Sequence, residues 1–375
     1  MNGSFRVGNL FGIPFYINSS WFLVLGLLTL NYGDNLATQF PQELGGILPW
    51  ILGLITALLL FSSVLAHELG HSFVAQYQGI EVKSITLFIF GGLASLDKES
   101  KTPAEAFWVA IAGPLVSIVL FGLFKSINIF TSITGAASVI VEILAYINLV
   151  LALFNLIPGL PLDGGNILKS IVWKITNNPE KGIIFASRVG QAFGSLTIIS
   201  GLIPTFLFSS FPNFWNILIG LFLLQNAGRS AQYGEVQSVL RNLTTVDAIV
   251  PNNPIVSESL SLREFVNEYV IGKESRKQFL VTDEAGQLVG VINVDDLKIV
   301  NTSQWPLVQV KELTKSLTNM ESVNAETPLL EVVSLLEQKQ INQLTVIGEN
   351  GMLVGLIEKA SIRRLLENKS QAKSA

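Results

Sequence analysis

Apolar residues fall into long, nearly unbroken runs from Trp21 to about Ala227, and beyond Arg229 they return only as short periodic clusters. Against the roughly 20 apolar residues of one membrane crossing, the first region predicts spans near 19 to 32, 47 to 77, 105 to 127, 137 to 160, 182 to 208 and 214 to 229. Ahead of them, Phe5 to Asn18 alternates loosely around Gly8, Gly12 and Pro14, which predicts a short β ribbon. Val82 to Leu96 alternates in part, through Ile85, Leu87 and Ile89, before meeting Gly91 and Gly92. On periodicity that segment is either an extended, partly exposed edge or an ordinary loop. No basic stretch precedes Trp21 and no small-residue cleavage site follows Leu30, so the first span is expected to be retained.

The polar region carries an internal repeat. Gly286, Leu288, Val289, Gly290, Val291 and Ile292 recur 65 residues later as Gly351, Leu353, Val354, Gly355, Leu356 and Ile357. Each copy predicts an amphipathic helix (Leu262 to Val270; Leu329 to Gln338), a strand (Gln278 to Thr282; Gln343 to Ile347), a glycine turn, a second strand and a closing helix. The expected fold class is a polytopic α-helical membrane domain of about six spans over 1–229, then a linker over 230–242 and a soluble α/β pair over 243–302 and 308–368.

Composition agrees with a membrane class, since 49% of the 375 residues are hydrophobic and only 14% charged, where soluble domains approach about 25% charged. A net charge of −4 lacks the basic footprint of a nucleic-acid binder. The chain has no cysteine, which removes disulfides, thiolate metal sites and thiol nucleophiles. Lys83, Lys98, Lys101, Lys169, Lys174 and Lys181 lie in loops that share one side, while Asp34 and Glu43 lie in the opposite loops. The bias puts both termini in the cytosol of a multi-pass protein, in a prokaryotic plasma membrane or an organelle membrane. Lys125, near an outer end, is an exception that snorkelling would accommodate.

His67-Glu68-Leu69-Gly70-His71 holds both histidines of the chain. Residues four apart share a helix face, so both imidazoles can reach one metal with Glu68 beside it. The bland alternative is a polar helix interface, but ionisable groups at membrane depth are costly and mark function by default. Gly70 would let another helix approach closely. A catalytic zinc takes three protein ligands, so one more is needed. Asp163 is the conspicuous candidate, in a segment broken by Pro158, Gly159, Pro161, Gly164 and Gly165. On the residues alone, a cap for the following helix remains a physically sound, less favoured role for it. Asn155 could serve an oxyanion or join two helices, and Asn148 reads as the structural one of the two asparagines.

Together, His67 to His71, Phe90-Gly91-Gly92, Ala112-Gly113-Pro114 with Ser117, and Asn155 to Gly165 resemble the site-2 protease family of intramembrane zinc metalloproteases, in the group with a cytosolic CBS pair. The resemblance implies that Asp163 is the third ligand of one zinc per chain and that Asn155 lies beside the metal. It also implies that Gly91 and Gly92 belong to a strand near bound substrate. Glu68 would carry a proton from water to the departing amide nitrogen, and a substrate helix would have to unwind before cleavage. The expected substrate is a single-span protein in the lipid bilayer.

The repeat resembles the CBS pair, which often binds adenine nucleotides. Gly290-Val-Ile-Asn293-Val-Asp-Asp296 keeps the family's aspartate but not its hydroxyl, and Gly355-Leu-Ile-Glu358-Lys-Ala-Ser361 keeps neither. One regulatory nucleotide site at Asn293 and Asp296 is expected, alongside a purely docking or homodimerising role for the pair. A CBS-gated transporter and a non-catalytic binder of membrane helices are the competing classes. Neither needs the glutamate between two histidines.

Overall fold

A computed structural model describes residues 3–89, 91–208, 213–249, 255–272, 277–315 and 321–374. The chain forms two compact units, Met1–Gly234 and Glu235–Ala375. In the first, β1 (Ser4–Leu10) and β2 (Ile13–Asn18) make the antiparallel ribbon expected before the first helix, α1 (Ser19–Gln39). Next comes α2 (Leu48–Tyr77), followed by β3 (Val82–Phe88) and β4 (Gly91–Leu96). β2 pairs in parallel with β3, β4 returns antiparallel to β3, and the sheet order is β1-β2-β3-β4. The segment 82–96 is thus extended rather than a loop, in two strands instead of one. It folds back on itself, and its second strand opens at Gly91, whose φ of 134° is open to glycine but not to larger residues. β4 is left as a sheet edge. Phe90 lies outside the described residues.

The remaining helices of this unit are α3 (Pro103–Phe130), α4 (Gly135–Asn155), α5 (Asp163–Thr176), α6 (Pro179–Phe208) and α7 (Phe214–Arg241). α3 starts at a capping box in which Thr102 accepts from the Glu105 amide and the Glu105 carboxylate accepts from the Thr102 amide. Among the described residues four helices are long and apolar enough to cross a membrane: α2, α3, α4 and α6 over Pro179–Pro204. The first and last expected stretches are helical as α1 and α7 but are outside that set, short of the six expected. The fourth stretch stops at Asn155 rather than 160, because Pro158 and Pro161 cannot supply amides to continue the helix.

Close packing depends on glycine. A methyl at Gly53 would come within 2.5 Å of the Thr29 carbonyl oxygen on α1, and one at Gly70 within 3.0 Å of the Ala112 carbonyl oxygen on α3. Asn148 is fully buried and donates to the Ser63 hydroxyl at 3.1 Å, joining α4 to α2. Lys125 pairs with Glu142 of α4, which also accepts from Asn128 at 2.8 Å.

The second unit contains two three-stranded sheets. One is β5 (Ile255–Ser257), β6 (Gln278–Thr282) and β7 (Leu288–Asn293); the other is β8 (Ser322–Asn324), β9 (Gln343–Ile347) and β10 (Leu353–Glu358). Packing does not follow the sequence boundaries 243–302 and 308–368. Leu243 and Ala248 lie in the core of the β8–β10 half, and Val310 lies in the core of the β5–β7 half. Each half therefore borrows the segment that leads into the other. Residues 230–242, expected as a linker, continue α7 as far as Arg241.

Candidate active site and metal centre

α2 brings His67 and His71 to one side, as four-residue spacing requires, and the start of α5 brings Asp163 to them. His67 Nε2 and His71 Nε2 lie 3.0 and 3.2 Å from Asp163 Oδ2 and 3.3 Å from each other. Tetrahedral bonds of about 2.0–2.1 Å to zinc would set such ligand atoms about 3.3–3.4 Å apart. The far side of each ring is engaged. His71 Nδ1 donates to the Val109 carbonyl at 2.7 Å, which leaves Nε2 bare in the neutral ring, and His67 Nδ1 meets the Ser117 hydroxyl at 2.9 Å. A bare imidazole nitrogen aimed at a carboxylate oxygen calls for a cation, and the donor set suits zinc.

Gly113 of α3 makes room for this arrangement, since a methyl there would lie 2.3 Å from His71 Nε2 and 2.6 Å from His67 Nε2. Asp163 is no cap. It is the first helical residue of α5, the N-cap is Leu162, and no side chain caps that end. The bends at Pro158 to Pro161 place the carboxylate against α2 instead.

Glu68 stands apart from the three ligand candidates, beside β4, which pairs on only one side among the described residues. Ala94 of β4 lines the same cavity as the Glu68 carboxylate. A methyl at Gly92 would fall 2.3 Å from Glu68 Cγ, so glycine is what lets the strand pass this close. Asn155 ends α4 and donates one hydrogen of its side-chain amide nitrogen to the Leu151 carbonyl at 3.1 Å, and the second hydrogen of that nitrogen is left to donate. Glu68, both histidines, Gly92, Asn155 and Asp163 all line one cavity of about 580 Å³. Gly91 opens the same strand. Sequence reading missed further polar residues that line this cavity: Lys169 of α5, which pairs with Glu99 at 3.1 Å, and Asn166 and Asn226. Asn166 and Lys169 follow Asp163 at helical spacing, a usable signal once α5 is known to start there. It also gave Ser117 and Val109 no role, although Ser117 stands one turn from Gly113.

In the C-terminal unit, Asn293 is the N-cap of a short 3-10 helix (Val294–Ile299). Asp296 accepts from the Asn293 amide at 3.3 Å and side chain at 3.1 Å, and pairs with Lys315 at 2.7 Å. Both carboxylate oxygens are thus engaged within the chain. The Lys315 ammonium and these hydrogen bonds hold the Asp296 carboxyl below its usual pKa of 3.8. A depressed folded-state pKa gives stability that is present above the unfolded value and lost as pH falls through the folded one. Asp296→Asn should therefore flatten the acid limb of the thermal-stability profile below about pH 4. An unchanged acid limb would show that the pair contributes nothing measurable.

Known proteins resemble this chain in both of its units. The description Peptidase family M50 matches residues 55–136 and 124–197, and CBS domain matches 310–368. A protein of Synechocystis sp., sll0528, provisionally named a zinc metalloprotease, is 56% identical over 367 residues, covering 98% of this chain and 96% of its own. Zinc metalloprotease MJ0392 of Methanocaldococcus jannaschii is 28% identical over 366 residues, 91% of this chain and 99% of that protein. A solved structure of a site-2 protease from the same archaeon is 29% identical, covers 61% of this chain and 95% of its own, and superposes with a TM-score of 0.43. The chain belongs to peptidase family M50, the site-2 protease family of zinc metalloproteases. It is a multi-pass membrane protein with a C-terminal CBS domain.

Proposed function

We propose that the chain hydrolyses a peptide bond within or beside the membrane-spanning helix of a single-span protein. The observation that carries this reading is the meeting of three groups in one cavity: a zinc-type donor set, a carboxylate outside that set, and a free strand edge. His67, His71 and Asp163 would hold the zinc. When bound, zinc acts as a Lewis acid toward the scissile carbonyl and lowers the pKa of the attacking water. Glu68 takes the proton from that water and delivers it to the departing amide nitrogen. The Asn155 amide orients the substrate carbonyl from across the cavity. The edge of β4 at Gly91 and Gly92 pairs with substrate backbone once it has left its helix, replacing hydrogen bonds that would otherwise go unmet in lipid.

Both termini are proposed to face the cytosol, with 33–46 on the opposite side, from the lysine distribution. Because the native chain is free of cysteine, single cysteines at Asp34 and Lys98 report orientation cleanly. Asp34 is expected to label only from the non-cytosolic face and Lys98 only from the cytosol, and the reverse pattern would refute the orientation.

The CBS pair is proposed to modulate cleavage and to join two chains. An adenine nucleotide at Asn293 and Asp296 would have to displace Lys315 from Asp296, so its binding should be weak and should strengthen with Lys315→Ala. Calorimetric titration of the full chain with ATP, ADP and AMP tests this. Binding by neither form at millimolar nucleotide would leave the pair a docking or dimerising module, and the native mass in detergent reads the second of these.

A further inference from the structure

Asp163 is delivered by a stretch, 156–162, that belongs to no helix or strand, yet its carboxylate meets the two imidazoles to within 3.2 Å. Something outside the ligand set must hold that stretch. Leu160 donates its amide to the Ala186 carbonyl of α6 at 3.1 Å. A methyl on Gly190, one turn further along α6, would lie 2.0 Å from the Leu160 carbonyl oxygen. A methyl on Gly159 would lie 2.6 Å from Gly190 Cα. Leu160, Ile183 and Ala186 are buried together at this contact. The first turn of α5 grips the stretch from its own side, because a methyl on Gly165 would lie 2.2 Å from the Leu160 nitrogen. Backbone therefore rests on backbone, with no flexible side chain to give way.

α6 offers no ligand atom, and none of its described residues lines the cavity. We propose that Gly190 is a positioning residue for the third zinc ligand: by admitting the Leu160 backbone, it fixes where Asp163 meets His67 and His71 before any metal arrives. A ligand held in place in advance does not have to be ordered during binding, so affinity is gained without a contact. The inference rests on reading His67, His71 and Asp163 as the ligand set.

Gly194 supplies the control. It lies one further turn along α6, and a methyl there would meet α7, 2.8 Å from the Leu224 nitrogen and 3.0 Å from the Gly220 carbonyl oxygen, away from the 156–162 stretch. Zinc affinity of the full chain in detergent, measured by chelator competition, should fall about 10- to 100-fold in Gly190→Ala. Gly194→Ala should lose thermal stability and keep wild-type affinity. Equal zinc affinity in folded Gly190→Ala and wild type would overturn the proposal. A wild-type chain that binds no zinc would instead contradict the ligand set itself. Should Gly190→Ala fail to fold, amide exchange at Leu160 in the wild type decides. Protection is expected to be the same with zinc bound and after zinc is stripped, and loss of protection on stripping would show that the metal, not α6, holds the stretch.

Discussion

Glu68→Gln is expected to abolish peptide cleavage while leaving zinc in place. Glutamine keeps the size and the hydrogen-bonding reach of the side chain, so the neighbouring Gly92 and Ala94 of β4 need not move. It cannot take a proton from water, and general-base catalysis contributes about 10²- to 10⁴-fold. Because Glu68 is outside the group formed by His67, His71 and Asp163, metal content should match the wild type. Two measurements on one preparation check this: turnover of a single-span substrate in vesicles, and zinc per chain by atomic absorption. Wild-type turnover in the variant would remove Glu68 from the mechanism.

Asp163→Ala is expected to lose zinc, and its loss should exceed that of a change one shell further out. Removing Ser117 deletes only the partner of His67 Nδ1, a change of the kind that costs about 10- to 100-fold in metal affinity. Removing Asp163 deletes an oxygen that lies within 3.2 Å of both imidazoles. The order of zinc affinity should be wild type, then Ser117→Ala, then Asp163→Ala, with His67→Ala and His71→Ala alongside the last. Were Asp163 a helix cap, its removal would cost about 1 kcal/mol of stability and spare the metal. That outcome would return it to the structural role that α5 does not give it.

The parts of this site that sequence makes legible are local ones. Four-residue spacing puts His67 and His71 on one face in any helix, and the repeat at Gly286 and Gly351 announces two similar strand pairs whatever their packing. Asp163 is different, because its place depends on contacts with residues far along the chain. Gly190 admits Leu160, and Gly113 lets α3 abut both imidazoles, and neither closeness leaves a trace in periodicity. Resemblance, rather than residue pattern, therefore carried the third ligand. Alternation over 82–96 could not show that the segment turns back on itself, since sheet order is set by partners elsewhere. Likewise Val310 reads as an ordinary apolar residue of the second repeat, and only packing assigns it to the first. Lys125 stood out as a misplaced charge because its partner, Glu142, is on another helix.

Groups that cut peptide bonds inside a membrane leave products whose new ends lie at membrane depth. Membranes containing the wild-type chain or Glu68→Gln would be compared by mass spectrometry of newly formed peptide termini. Ends are expected within or at the border of a single membrane-spanning segment, arising with the wild type alone and vanishing when zinc is chelated. Identical termini in both membranes, or new ends confined to soluble loops, would contradict cleavage by these groups inside a membrane.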